Sequence, residues 1–323
     1  MEQHYDVTAL GEVLIDFIYS GETGDKKKLY EENIGGAPAN CAAAVAKLGG
    51  KAAFIGMTGK DQFGEDIRSV LASLSVDICG MRSTEHQHTT LAFVHLDQNG
   101  ERHFSFCRNP GADTQLQPQD LDSTVLQHSR ILHVGSLSLT DEPIKSATLA
   151  AIEMAKAAKS LISYDPNWRP SLWKGRHDAL TLMKSLLPFA DIVKISDEEC
   201  TVLFGHNTAY ADAAHSILQS GATLVLITLG AQGVYYATPQ YSGRLGVPTV
   251  KVADTTGAGD SFMGGLLYRI TRRQEPLHCT QDILEQDISF ANAVASLCVT
   301  KRGAIPALPS LADVTAFMHI HKM

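Results

Sequence analysis

Residues 190–229 read ADIVKISDEECTVLFGHNTAYADAAHSILQSGATLVLITL. Two short apolar runs, 190–195 and 223–229, enclose a stretch at 210–220 in which Ala, Ile and Leu recur at three- and four-residue spacing. The runs are continuously apolar rather than alternating, which suits strands buried on both faces, and the spacing between them suits a crossover helix. Strand, helix, strand in that order joins parallel neighbours of one sheet. The same rhythm spreads outward along the chain. Apolar runs stand at 6–10 (DVTAL), 53–56 (AFIG), 131–134 (ILHV) and 161–165 (LISYD), and helical patterns at 143–159, 177–187 and 281–300. The alternation predicts an α/β fold with a central, mostly parallel sheet and helices on both faces.

Two segments break the rhythm, about 12–34 and 88–110. In the second, two β-patterned arms flank Gln98-Asn99-Gly100, and Asn-Gly is a strong hairpin signal. A hairpin does not belong in a parallel core, so both segments are expected to build a small β-sheet lid over one edge. With no internal repeat, low-complexity tract or Pro/Ser-rich linker, the expectation is one domain over 1–323 carrying that lid.

Composition narrows the function. The 323 residues are 44% hydrophobic and 19% charged, as in a globular protein. A formal charge of -8 denies the chain the basic field that phosphate-backbone binding requires, so no nucleic-acid partner is expected. The basic run Lys26 to Lys28 lies among Glu22, Asp25, Glu31 and Glu32 and reads as a solvated surface segment. Six cysteines are scattered without a CxxC pair and read as reduced, mostly buried thiols. No apolar leader or membrane-length apolar window is visible, and a cytoplasmic protein with no membrane partner is expected.

In an open parallel sheet, ligands collect beyond the carboxyl ends of the strands. Those ends carry Asp165, Pro166, Asn167 and Arg169, then Ser196 to Glu199, then Gly230-Ala231-Gln232-Gly233. Each alone suits a turn or a cap; together they place polar, acidic and Gly-rich groups on one edge. The segment 254–265, DTTGAGDSFMGG, adds small residues ahead of an apolar helical run. First-turn N–H groups of a helix face an anion with the dipole behind them, so Gly257, Ala258 and Gly259 are candidates for a phosphate cradle. Asp260 in that turn answers the dipole. A carboxylate beside a phosphate also repels it, and taking a proton from an attacking hydroxyl would account for its presence.

A second Gly-rich stretch, 35–49 (GGAPANCAAAVAKLG), places Pro38 at a helix start and Gly49 at its end. Asn40 is then a first-turn polar group, with capping as its plain role, and Gly35-Gly36 would let backbone touch a small polyol. Other motifs fail on spacing. Gly56-Met-Thr-Gly-Lys60 is not a P-loop, Ser261 is not in a nucleophile elbow, and no GxGxxG supports a nicotinamide dehydrogenase. His86/His88 and His319/His321 lack the companions of a zinc site and read as surface residues.

The segments GGAPAN (35–40), DPNWRPSLW (165–173), SDEE (196–199), TLGAQG (228–233), DTTGAGDSF (254–262) and FANAVASL (290–297) occur in one order along the chain. In that order they resemble the ribokinase-like (PfkB) carbohydrate kinases over essentially the whole length, and within them the fructokinases. The resemblance implies an ATP-dependent, Mg²⁺-requiring kinase that phosphorylates D-fructose at O6 to give fructose 6-phosphate and ADP. It implies that Asp260 is the catalytic base and that Gly257, Ala258 and Gly259 form the anion hole. Asp16, Gly35, Gly36, Asn40, Arg108 and Arg169 would hold the sugar, and Thr228, Gly230, Gly233, Asn292 and Lys194 the nucleotide. Glu199 would organise Mg²⁺ through water; Ser196 stands where the family's N-x-x-E motif has Asn. Asp254 and Thr256 match the monovalent-cation loop of members that K⁺ activates. The family's lid often doubles as a homodimer interface. Arg108 and Arg169 are shared with 2-keto-3-deoxygluconate kinases, and aminoimidazole riboside kinases share much of the pattern, so the acceptor stays open among these. A sugar-binding sensor without turnover is the other class, against which Asp260, the anion-hole glycines and Glu199 stand.

Overall fold

The computed structural model of the chain describes residues 4–96, 102–173 and 175–323. A ten-stranded sheet runs in the order Ser242–Leu245, Val234–Ala237, Leu224–Thr228, Ile192–Ser196, Leu161–Asp165, Ser129–Gly135, Tyr5–Leu10, Ala52–Gly59, Val76–Asp77, with Met81–Thr84 also pairing onto Ala52–Gly59. Pairing is parallel throughout except at one edge, where Leu224–Thr228, Val234–Ala237 and Ser242–Leu245 are antiparallel. All six runs singled out in the sequence are strands of this sheet, and the four helical patterns become Ile144–Ala157, Ala179–Ser185, Tyr210–Gln219 and Gln281–Cys298.

The continuous apolarity follows from burial on two sides. Ile192, Leu224 and Leu226 enter one apolar layer with the helices Ala37–Lys47 and Ala258–Ile270. Val193, Val225 and Ile227 enter the other with Ile144–Ala157 and Tyr210–Gln219. Successive strand residues point to opposite faces, so both must be apolar.

Helices Ala37–Lys47 and Ala258–Ile270 pack unusually closely. A Cβ on Gly264 would stand 2.4 Å from the Ala44 Cβ and 2.9 Å from the Cys41 carbonyl oxygen. The alanine and glycine content of both segments is therefore a packing requirement. That close contact brings the first turn of one helix to the first turn of the other.

A separate four-stranded sheet has the order Lys28–Gly35, Leu14–Glu22, Leu91–Leu96, Arg102–Cys107. Both segments that broke the sequence rhythm contribute to it. The arms Leu91–Leu96 and Arg102–Cys107 pair antiparallel as expected; the Asn99-Gly100 turn lies outside the described residues. Phe17 stacks on Phe93 at 5.2 Å and meets Phe63 of the helix Gln62–Ser73 edge-on at 5.9 Å, which ties this sheet to the core.

One sequence expectation needs correction, and one alternative falls away. Cysteines were expected to be mostly buried, but only Cys41, Cys200 and Cys298 are, while Cys79 and Cys107 are exposed; none of the six is in a disulfide. Asn40 is not a cap: the helix Ala37–Lys47 has Gly36 at its N-cap with no side-chain bond, and the Asn40 side chain turns elsewhere. Among the described residues no helix is long and apolar enough to cross a membrane.

Candidate active site

The helix Ala258–Ile270 begins at Gly257, whose φ of 74° lies in the left-handed region, and a Cβ there would stand 2.7 Å from the Ala304 Cβ. Glycine is required on both counts. The turn is tightened by the Ala258 N–H, which donates to the Thr255 carbonyl at 3.3 Å. Ala258 and Gly259 line a pocket of about 320 Å³, shared with Thr228, Gly230, Gly233 and Asn292. Six residues assigned to phosphate or nucleotide from separate parts of the sequence therefore wall a single pocket. Val247, Pro248, Val250 and Phe262 give it an apolar side. The Asn292 side chain donates to the Gly246 carbonyl at 3.3 Å, which fixes its orientation.

Asp260, one residue beyond the pocket wall, faces the other way. Its Oδ2 accepts the Asn40 amide at 2.7 Å, the contact that the close helix packing makes possible. Burial pushes the Asp260 carboxyl up to about 6; the Asn40 bond opposes this, the Asp165 charge adds to it, and Lys194 and Arg169 pull it down. A carboxylate that titrates near neutrality suits a general base.

Gly35 and Gly36 immediately precede the helix that carries Asn40. A Cβ on Gly35 would meet Asp16 Oδ2 at 2.1 Å, and one on Gly36 would meet the Glu12 carbonyl oxygen at 2.4 Å. The double glycine thus lets the strand Lys28–Gly35 pass against the Asp16 side chain while the next helix starts against residue 12. Asp16 lies on the strand Leu14–Glu22 of the four-stranded sheet, paired with Asn33 and Ala92 on its two sides. The Asn40 Oδ1 is buried with no donor among the described residues, as is Asp165 Oδ1. Buried polar atoms are nearly always hydrogen-bonded, so these acceptors mark where a donor-bearing ligand would enter.

Lys194 was expected at the nucleotide. It is not among the residues lining the pocket; its ammonium donates to Asp165 Oδ2 at 2.9 Å and lies where a Gly259 Cβ would come within 2.8 Å of it. The charge therefore sits beside the first turn of the helix Ala258–Ile270. Arg108 was expected among the residues that hold the sugar. Within the protein its Nε donates to Asp113 at 2.8 Å, Nη1 to Thr140 at 2.8 Å and Nη2 to the Leu137 carbonyl at 3.2 Å. Arg169 donates to the Trp168 carbonyl at 3.0 Å and acts on the Asp260 charge from nearby.

Glu199 accepts the Trp168 N–H through Oε1 and the Ser196 N–H through Oε2, each at 2.7 Å, while Ser196 Oγ accepts the Glu199 N–H. This is a capping box that also pins the loop after Leu161–Asp165. Asp254 is as fully engaged: Oδ1 accepts from the Thr256 N–H at 2.8 Å and hydroxyl at 2.7 Å, and Oδ2 from the Gly303 N–H at 3.0 Å. Among the described residues no group of three or more His, Cys, Asp or Glu is placed to hold a metal by itself.

Sequence reading gave no role to Glu12, Asp113 or Asp165. Asp165 was named as a strand-end residue. Glu12 lies just past the strand Tyr5–Leu10, so reading the end of that strand in the same way would have found it. Asp113 carries no comparable signal, because its partners Thr90 and Arg108 meet it only through tertiary packing.

A family profile described as pfkB family carbohydrate kinase matches residues 5–311. Fructokinase-1 of Oryza sativa subsp. japonica is 42% identical over 97% of this chain and 97% of its own. Among solved structures, a fructokinase from Xylella fastidiosa with bound ATP superposes with a TM-score of 0.92 at 34% identity, covering 99% of this chain and 100% of that one. A double mutant of the fructokinase from Vibrio cholerae O395, bound to fructose, ADP and potassium ion, gives a TM-score of 0.89 at 35% identity, covering 98% and 99%.

Proposed function

The chain belongs to the pfkB family of carbohydrate kinases, and on that premise we propose that it transfers the γ-phosphoryl group of ATP to O6 of D-fructose, giving fructose 6-phosphate and ADP. The observation that carries the reading is the two-sided first turn of the helix Ala258–Ile270. Ala258 and Gly259 wall the 320 Å³ pocket, and the next residue, Asp260, is held by Asn40 on the opposite side. A donor phosphate and an acceptor hydroxyl would therefore meet across one turn of backbone. The names of the rice and bacterial relatives support fructose as the acceptor.

In this reading ATP lies along Thr228, Gly230, Gly233 and Asn292, with its terminal phosphate at the Gly257 to Gly259 turn. Backbone N–H groups and the helix dipole there meet the charge that spreads over the transferred group. Lys194 adds a buried positive charge behind the same turn. Asp260 orients the O6 hydroxyl and takes its proton; Asn40 fixes the carboxylate, and Asp16 with the Gly35-Gly36 backbone seats the remaining hydroxyls. Arg108 acts by anchoring the lid and Arg169 by its charge beside Asp260. Lid closure excludes water, the competing nucleophile.

The acidic groups suit the ions expected of such a kinase. Oxygen ligands are what Mg²⁺ takes, and Glu199, both of whose oxygens already accept backbone N–H groups, would hold it through coordinated water. When bound, Mg²⁺ neutralises phosphate charge. Asp254 and Thr256 immediately precede the anion-hole turn, so K⁺ at that loop would stiffen it. The whole chain would work as one lidded catalytic unit in the cytoplasm, as a homodimer through the lid.

The test is ADP release by the purified protein with Mg-ATP, with KCl or choline chloride, across fructose, ribose, 2-keto-3-deoxygluconate, aminoimidazole riboside and no sugar. Fructose-dependent release that rises with KCl is expected. Preference for the keto-acid would reassign the acceptor, and release equal to the sugar-free blank with every sugar would overturn the kinase reading in favour of a sensor.

A further inference from the structure

The chain leaves the core sheet at Leu10 and enters the lid at Leu14, so residues 11–13 are a strip of backbone that joins the two sheets. Glu12 in that strip is only 4% exposed. Its Oε1 accepts the Ala37 N–H at 3.2 Å, the first residue of the helix that carries Asn40 and the one whose N-cap, Gly36, has no side chain to offer. Its main chain abuts Gly36 so closely that any Cβ there would collide with it. Glu12 therefore touches the sugar-facing glycine and the start of the Asn40 helix through two different groups.

The charge on Glu12 has a second neighbourhood. Arg108 and Asp113 both act on it electrostatically. Arg108 follows the lid strand Arg102–Cys107 and is bound to Thr140 and Leu137 of the core, while Asp113 takes the hydroxyl of Thr90, just ahead of the lid strand Leu91–Leu96. Two places where chain enters or leaves the lid, at Thr90 and Arg108, thus meet at Asp113 and act on a carboxylate that stands at a third. Its Oε2, meanwhile, is buried without a donor among the described residues, and burial pushes the group up to about 7.

A buried carboxylate is a costly way to satisfy one amide, since a neutral side chain would accept the same N–H without the desolvation of a charge. Local rules broken at a cost to stability are characteristic of functional positions. We propose that Glu12 is a positioning residue for the acceptor sugar: its charge ties the hinge of the lid to the first turn of the Asn40 helix, so that closing the lid and shaping the sugar seat are one event. The inference rests on the sugar-kinase reading of this site and extends it to a residue outside the sugar and nucleotide contacts.

Glu12→Gln tests it, because the amide oxygen can still accept the Ala37 N–H while the charge is gone. The expected result is a melting temperature equal to or above wild type, a KM for fructose raised about tenfold, the scale of one charged hydrogen bond, and a KM for ATP within about twofold of wild type. Fructose affinity measured by calorimetry without ATP should weaken in step. Glu12→Ala, which also removes the acceptor, should lower the melting temperature as well. An unchanged fructose KM in Glu12→Gln overturns the role of Glu12, and so does a rise in both KM values together with a lower melting temperature, which would mark a merely structural group. A wild-type protein without sugar-dependent ADP release overturns the kinase reading itself.

Discussion

Asp260 combines two demands that pull its stability and its chemistry apart. The carboxyl is raised to about 6 chiefly by burial, so in the folded state it favours the neutral form. An acid whose folded pKa lies above its unfolded value, about 4, contributes most to stability below both. Stability is lost as pH rises between them, and by pH 7 the loss is about 2 kcal/mol after allowing for partial solvent access. Asp260→Asn keeps an oxygen for the Asn40 amide and removes that loss. It should therefore melt higher than wild type at pH 7 to 8 while its kcat falls on the order of 10² to 10⁴. The pH profile of kcat/KM should decline below about pH 6, roughly tenfold per unit, as the base is protonated. Melting scans and initial rates on the same preparations check both signs; near-wild-type turnover in Asp260→Asn would remove it from the mechanism.

At the scale of elements, the turns proposed to hold the phosphates consist of backbone conformation more than side chains. Gly257 and Gly230 both have positive φ, 74° and 55°, yet their surroundings differ. A Cβ at residue 257 would strike Ala304, whereas at Gly230 nothing lies within 4 Å. Gly230→Ala should thus cost only left-handed strain, about 1–2 kcal/mol, with a modest rise in the KM for ATP. Gly257→Ala adds the collision and shifts the anion-hole turn, so its kcat should fall at least about tenfold beyond that of Gly230→Ala, with a larger drop in melting temperature. Equal effects would mean that the turn tolerates displacement. These same glycines show why so much was legible in the sequence. Runs such as 223–229 declare burial on both faces, and DTTGAGDSF declares a tight turn ahead of a helix, because both constraints act locally. The Asn40 to Asp260 bond was not legible: it spans 220 residues and depends on the approach of two helices that only their Ala and Gly content hints at. The protein partners of Arg108 were hidden for the same reason. Its spacing shows an arginine at a lid exit, and only the fold shows that Asp113, Thr140 and Leu137 already take its fork.

At the scale of the whole molecule, the two sheets have different problems. The core sheet is covered on both faces, but the small sheet is four strands whose outer members, Lys28–Gly35 and Arg102–Cys107, each leave an edge without a strand partner among the described residues. Exposed strand edges invite pairing with another chain unless they are covered. Phe17, Tyr19, Tyr30 and Phe93 form a half-buried aromatic cluster on this small sheet, linked by ring contacts of 5.2 to 6.1 Å, and Leu29 at its edge is 45% exposed. A second copy pairing lid to lid would bury that surface and stiffen the sheet that carries Asp16. Light scattering should therefore give a mass near twice 34.9 kDa at micromolar concentration. Leu29→Glu adds a charge where Glu31 and Glu32 are already exposed, and should shift the population towards 34.9 kDa without unfolding the core. If dimerisation seats the lid, the monomeric variant should show a raised fructose KM at low protein concentration that recovers as concentration increases. A wild-type mass of 34.9 kDa at every concentration would instead assign the aromatic cluster to packing within the lid alone.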